Sequence, residues 1–246
     1  MKNNYIAIIL FISLQISCLS AFAQFKDTDT SAIWQIAYNE TFRDNLNYNK
    51  RYSDQIAVIK ENGKSDSVSS KEIDVLFVGS SSFRGWRTVY QDMAPLNVVN
   101  NGFGGATIRD ILYHYDIVVK PFKFKKVVLY VENDVSPSQT IKQYVIFDLF
   151  RTFASKIAAD YPDATLYIVS LKPSVKRADM LERQTALNGM LKDYADNMPK
   201  IEYIDVASKM MTPQGVDPTL FIGDKLHMNA KGYQLWTEII KPYLIK

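Results

Sequence analysis

The chain of 246 residues is poor in the groups that carry most metal and thiol chemistry: one cysteine and two histidines. The single cysteine, Cys18, lies in an apolar N-terminal stretch, so the fold has no intrachain disulfide and rests on its core alone. Charge of one sign is also scarce. The formal net charge is +3 and scattered, which argues against a nucleic-acid or membrane-surface binder. The densest basic run, Lys123-Phe124-Lys125-Lys126, reads as the solvated entry to a strand. There are no internal repeats, no low-complexity tract and no long apolar lid segment of the kind a broad lipase would carry. The longest apolar run, residues 5–16, is too short for a comfortable membrane span.

What is present is an ordinary globular composition. Apolar residues make up 47% and charged residues 22%, enough for a sizeable core in one domain or two small ones. The N-terminus reads as an export leader. Lys2 supplies a positive start, residues 5–16 are broken only by Ser13 and Gln15, and Ala21-Phe22-Ala23 places small residues for cleavage before Gln24. A periplasmic or extracellular location follows as an expectation, with no stable membrane span. Lipid attachment at Cys18 is the lesser alternative, because Gln15 stands where such a site wants an aliphatic residue.

Residues 24–72 are polar and rich in Asn, Asp and Lys. An amphipathic stretch over about 44–60, with Ile56, Val58 and Ile59, followed by a loop at 61–67, predicts an N-terminal extension packed on a main domain at 73–246. From residue 73 onward, short apolar runs at 73–78, 96–99, 126–131, 165–169 and 201–206 predict buried strands. Between and after them, three-to-four periodicity predicts helices over 107–118, 138–160, 180–197 and 229–244. Alternating strands and helices of these lengths predict an α/β fold, a three-layer α/β/α sandwich around a five-stranded parallel sheet of flavodoxin-like type. Ligand sites in such sheets lie at the carboxyl ends of the strands, where strand order reverses.

Four motifs fall at those ends. Gly79-Ser80-Ser81-Ser82 follows the first strand, where a serine on a tight turn can face the crevice and a helix N-terminus favours a negative oxygen. It is not the Gly-x-Ser-x-Gly elbow, because Phe83 replaces the second Gly, and an N-cap serine cluster is the plain alternative. Asn101-Gly102-Phe103-Gly104-Gly105-Ala106-Thr107 follows the second strand. Thr107 stands where a dinucleotide fingerprint needs its third Gly, which leaves the loop suited to free N–H groups and an oxyanion hole. Glu132-Asn133-Asp134 follows the third strand and offers a neutral amide donor, or simply a turn. Asp224-Lys225-Leu226-His227 precedes the last helix. A carboxylate three residues before an imidazole can fix its tautomer and free the other nitrogen for base chemistry. His114 reads as structural or surface, Trp86 as a core or pocket residue, and Lys172-Pro173-Ser174 as a loop at the crevice, in reach of substrate.

With these motifs in this order the chain resembles the SGNH hydrolases, or GDSL-type esterases, over residues 74–244. The resemblance places Ser81 as nucleophile, with Ser80 and Ser82 as neighbouring candidates. It places Asp224 and His227 as orienting acid and base, and the Ser81 and Gly105 backbone N–H groups and the Asn133 amide as the oxyanion hole. The run Gly-Ser-Ser-Ser-Phe-Arg-Gly-Trp86 is similar to a bacterial subgroup with a longer first block and shares its Ser80 in place of the family's Asp. The third block departs from the family's Gly-x-Asn-Asp: Tyr130-Val131-Glu132-Asn133 has no Gly, as if one residue were deleted or Val131 replaced it, and this bears on where the Asn133 amide sits. The resemblance implies no metal and no organic cofactor. It implies a secreted serine esterase acting through an acyl-enzyme on an acyl ester, in particular an O-acetyl ester on a carbohydrate. Lysophospholipid or thioester hydrolysis uses the same machinery. A non-catalytic carbohydrate- or lipid-binding protein with a degenerate oxyanion hole is the reading from another class.

Overall fold

The computed structural model describes residues 51–64, 72–139 and 141–246. The expected leader at 1–23, Cys18 and most of the extension at 24–72 lie outside those residues.

Five strands form one parallel sheet: β1 (Ile73–Gly79), β2 (Val98–Gly102), β3 (Phe124–Tyr130), β4 (Thr165–Val169) and β5 (Ile201–Ile204), in the order β2-β1-β3-β4-β5. The sheet is buried on both faces, which is why its strands read as apolar runs rather than as alternating patterns. Leu76, Val78, Val127, Leu129, Leu166 and Ile168 point into one core. That core is closed by α1 (Ser53–Lys64), α4 (Ile108–Tyr113), α5 (Tyr115–Val118), α6 (Gln143–Asp160) and α7 (Leu181–Asp196). Val75, Phe77, Val128, Tyr130, Tyr167 and Val169 point into the other. It is closed by α2 (Ser81–Arg84), α3 (Val89–Asp92) and α8 (Ala230–Leu244). These layers are the α/β/α sandwich expected from the sequence. Trp86, 1% exposed and stacked on Tyr233, belongs to the second core.

The chain departs from the sequence reading where side chains take over backbone roles. The second strand runs later than its apolar residues, through Asn100, Asn101 and Gly102. Their polarity is accommodated because Asn100 Nδ2 donates to the Phe83 carbonyl and Asn101 Nδ2 to the Val118 carbonyl, both at 2.8 Å. The helix expected over 107–118 breaks into α4 and α5 at His114 (φ −92°, ψ 12°), whose buried ring meets Phe103 and Tyr52 edge-on. Burial lowers the His114 pKa to about 4. The helix expected from residue 138 begins at Gln143 instead. Arg183 takes the Gln139 and Ile141 carbonyls at 3.2 and 2.6 Å, so these groups are satisfied outside a helix. A short antiparallel hairpin, β6 (Met211–Thr212) and β7 (Gly215–Val216), lies between β5 and the His227 loop. Within the polar extension, α1 and the preceding Tyr52 insert Tyr52, Ile56 and Ile59 into the first core, while Val58 stays 61% exposed.

Candidate active site

The site is assembled where β1 lies between β2 and β3, the point at which successive connections leave in opposite directions. β1 ends at Gly79, where a Cβ would stand 2.2 Å from the Tyr130 carbonyl oxygen. Only a residue without a side chain lets the two strand ends approach this closely. The Ser80 N–H then bonds the same carbonyl at 3.0 Å and the chain turns into α2. Ser80 and Ser82 are buried, 1% and 3% exposed, whereas Ser81 opens to the surface. The Ser81 hydroxyl lies 3.2 Å from His227 Nε2. Among the three serines, the geometry therefore joins Ser81 to the imidazole. Ser81 opens α2, a single turn of four residues.

His227 sits in a loop closed by the Phe221–Met228 bridge and by the Ile222 N–H on the His227 carbonyl at 2.9 Å. Lys225 takes a left-handed conformation (φ 60°), which curls the chain so that Asp224 faces back on its own loop. One Asp224 oxygen accepts the Leu226 and His227 backbone N–H groups, each at 2.9 Å, and the other lies 2.6 Å from His227 Nδ1. Partial burial of the carboxylate opposes ionisation. The bonds from the His227 ring and from these two N–H groups outweigh it and hold the Asp224 pKa down at about 2. An ionised Asp224 accepts a proton-bearing Nδ1, leaving Nε2 as the acceptor toward Ser81.

The glycine loop forms the facing wall. The Phe103 N–H bonds the Gly79 carbonyl at 2.9 Å, and Gly105 takes φ +82°. Side chains from the α1 segment hold the loop from behind: Gln55 accepts the Gly104 N–H at 2.7 Å, and the Tyr52 hydroxyl donates to the Gly105 carbonyl at 3.0 Å. Among the described residues no protein acceptor takes the Ser81 or Gly105 N–H. Thr107, the residue that breaks the dinucleotide pattern, instead caps α4 in a reciprocal box with Asp110. An Asp110 oxygen also lies 3.1 Å from the Tyr52 hydroxyl, whose one proton it shares with the Gly105 carbonyl, and burial pushes the Asp110 pKa up to about 8.

Asn133 closes the third side. Its Nδ2 donates to the Ala106 carbonyl at 2.9 Å, and its Oδ1 accepts from Arg177 Nη2 at 2.9 Å. The next residue, Asp134, accepts the Ile108 N–H at 2.8 Å, and burial raises its pKa to about 6. The hydrogen bonds thus join Ser81, His227 and Asp224 in one line and tie Asn133 to the glycine loop at Ala106, the residue after Gly105. Lys172 does not join them as a substrate contact. It is 1% exposed, 3.3 Å from Glu132 and bonded at 2.9 Å to the Leu226 carbonyl. Arg177, further along the same loop, is the residue the sequence reading missed. Its only sequence signal is a cation near the end of a strand, which many surface positions share. Among the described residues no group of His, Cys, Asp or Glu is disposed to hold a metal ion, and no helix is long and apolar enough to cross a membrane.

Residues 66–235 match the GDSL-like lipase/acylhydrolase family. The platelet-activating factor acetylhydrolase IB subunit alpha2 of Rattus norvegicus is 25% identical over 182 residues, covering 70% of this chain and 75% of that protein. Among solved structures, a putative platelet activating factor from Streptococcus pneumoniae superposes with a TM-score of 0.70 at 19% identity, over 79% of this chain and 93% of that one. The family 3 carbohydrate esterase of Clostridium thermocellum superposes at 0.55 with 18% identity, over 71% and 98%.

Proposed function

The chain belongs to the GDSL-like lipase/acylhydrolase family, a family of ester-hydrolysing enzymes, and from that premise we propose that it is a serine esterase acting through Ser81, His227 and Asp224. The observation that carries this reading is the unbroken line from Asp224 through the His227 ring to the Ser81 hydroxyl, at 2.6 and 3.2 Å. In the first half-reaction His227 Nε2 takes the Ser81 proton as Oγ attacks the ester carbonyl carbon. The proton then passes to the departing alcohol as the C–O bond breaks, leaving an ester on Ser81. Water attacks that ester in the second half-reaction, giving its proton to His227, which returns it to Ser81. Asp224 holds the ring and stabilises its cation without taking the proton itself. The Ser81 and Gly105 N–H groups and the Asn133 amide donate to the oxyanion that forms in each half.

The substrate we propose is an acetyl ester on a carbohydrate. Two likenesses support it from different sides: one relative is named an acetylhydrolase, which suggests the acyl group, and a structural neighbour is named a carbohydrate esterase, which suggests the alcohol. A longer-chain lysophospholipid or thioester is the second substrate class for the same residues. A panel of acetylated sugars against long-chain acyl esters tests this. Turnover of the acetylated sugars is expected, and turnover of long chains alone would refute the carbohydrate reading. Ser81→Ala and His227→Ala should abolish hydrolysis while the protein stays folded, and full activity of Ser81→Ala would refute the nucleophile.

The proposal extends to export, which the leader pattern at residues 1–23 supports. N-terminal sequencing of the chain recovered from its natural host should begin at Gln24. Recovery of the intact N-terminus would remove export from the proposal.

A further inference from the structure

A side-chain amide has two ends of nearly equal shape, one a donor and the other an acceptor. Only its surroundings decide which end faces a ligand. Asn133 stands between two groups of fixed and opposite character. The Ala106 carbonyl can only accept and takes Nδ2 at 2.9 Å; the Arg177 guanidinium can only donate and gives to Oδ1 at 2.9 Å. A flipped amide would set oxygen against the carbonyl oxygen and N–H against the cation, losing both bonds and adding two repulsions. In this orientation one Nδ2 hydrogen engages Ala106, and among the described residues no protein acceptor takes the second.

Arg177 can act as a clamp because it is itself held. Its Nη1 bonds Glu132 Oε1 at 3.0 Å, so one planar fork spans two adjacent residues of the turn after β3. Glu132 is buried and receives the Tyr130 hydroxyl at 2.5 Å on its other oxygen. Lys172 binds Glu132 at 3.3 Å and the Leu226 carbonyl, beside His227, at 2.9 Å. The backbone is pinned as well, by the Lys176 N–H on the Lys225 carbonyl at 3.0 Å, and the 3₁₀ stretch Val175–Met180 is interrupted at Arg177 itself (φ −120°, ψ 33°). We propose that Arg177 is a positioning residue for ester hydrolysis: it locks the Asn133 amide with its N–H toward the oxyanion, and the Glu132–Lys172 pair ties that clamp to the loop of the base. This rests on the reading of Asn133 as an oxyanion donor. It also accounts for how this chain dispenses with the Gly of the third block. Val131 is 1% exposed and buried behind the turn, while the amide is fixed from its two ends.

The test compares Arg177→Ala, Arg177→Lys, Asn133→Ala and the Arg177→Ala/Asn133→Ala double variant with 4-nitrophenyl acetate as substrate. Arg177→Ala should lower kcat roughly ten- to a hundredfold with KM little changed, short of the roughly hundred- to thousandfold expected for losing the donor. Added guanidinium should restore part of the loss in Arg177→Ala and none in the double variant. The double variant should be no slower than Asn133→Ala, because a residue that acts only through Asn133 has nothing left to position. Arg177→Lys keeps the charge beside Glu132 and the thermal midpoint, but a single ammonium cannot reproduce the two-residue fork, so its kcat should still fall. It carries the test if Arg177→Ala does not fold. Wild-type kcat in Arg177→Lys, a change confined to KM, or losses that multiply in the double variant would each overturn the clamp. Labelling of Ser81 by a fluorophosphonate separates the two levels. A labelled wild type with an unaffected Arg177→Lys overturns the clamp alone, and an unlabelled wild type overturns the esterase reading and the clamp with it.

Discussion

The side-chain carbonyl of Gln55 accepts the backbone N–H of Gly104 at 2.7 Å, across 49 positions of sequence. A helix in the polar N-terminal segment thereby fixes the glycine loop that faces Ser81. Tyr52 does the same for the next residue through its bond to the Gly105 carbonyl at 3.0 Å. The loop has few side chains of its own to hold it, so its shape depends on this support.

Gln55→Ala should therefore lower kcat about tenfold while costing about 1 kcal/mol of stability, the usual net worth of one hydrogen bond. Steady-state hydrolysis of an acetyl ester beside urea unfolding would check both. A large loss of stability with unchanged kcat in the folded fraction would show that the helix only braces the fold.

Asp224→Asn keeps the size of the side chain and loses its charge. Both oxygens of Asp224 are engaged by the His227 loop, and the carboxylate stays ionised down to about pH 2. The variant amide can present N–H to Nδ1 and favour the wrong tautomer, so kcat should fall by about 10⁴. Steady-state hydrolysis of an acetyl ester by the folded variant checks this, and wild-type kcat would contradict the assignment.

Gly79→Ala tests the strand junction. The new methyl group would meet the Tyr130 carbonyl oxygen at 2.2 Å and Phe83 Cδ2 at 2.9 Å, and the carbonyl is fixed in the sheet. β1 and β3 must separate locally, at a cost of about 1–3 kcal/mol or more. Since Ser80 and Ser81 follow directly, activity should fall further than stability alone accounts for. Wild-type kcat in the folded variant would argue that Ser81 is placed independently of this contact.

The pH dependence of stability should carry the mark of Asp110. Burial raises its pKa to about 8, against the pull of the Thr107 backbone N–H, with Asp134 adding to the rise. An unfolded Asp titrates near about 3.9, so between these values the folded chain holds a proton that the unfolded chain lacks. The stability from this group is complete at low pH and is lost as pH rises through about 8. His114, lowered by burial to about 4, works in the opposite sense below about pH 6.5, and Asp134, raised to about 6, works in the same sense as Asp110. Above about pH 6.5 Asp110 is the one of the three still titrating. The unfolding free energy should fall from there to about pH 8, with a slope approaching 1.4 kcal/mol per pH unit. Asp110→Asn should flatten it, as read by urea unfolding in steps of pH. An equally steep decline in the variant would assign the effect elsewhere.

Much of this site was legible because its residues sit at strand ends, and buried strands announce themselves by composition. Val75 through Val78 and Val127 through Val131 are apolar because both sheet faces are covered, so the polar residues that follow them stand out. The Asp224–His227 pair was legible for a local reason: the two side chains are three residues apart and bond within one loop. The parallel sheet and its flanking helices followed from the alternation of periods. β2 was placed early because Asn100 and Asn101 are held by carbonyls from Phe83 and Val118, contacts with no trace in the strand's own pattern.

By itself, then, the sequence determined the layer order of the fold and the local partnership of Asp224 and His227, since both follow from short-range pattern and spacing. Only the tertiary structure decided which of three adjacent serines meets the His227 ring, because burial of Ser80 and Ser82 depends on how α2 seats against the sheet. It also decided that Lys172 turns inward, and that Arg177 and Gln55 hold the two walls of the crevice. Those bonds span 44 to 54 positions of chain, and a sequence carries no local signature of a contact whose partner is brought near only by folding.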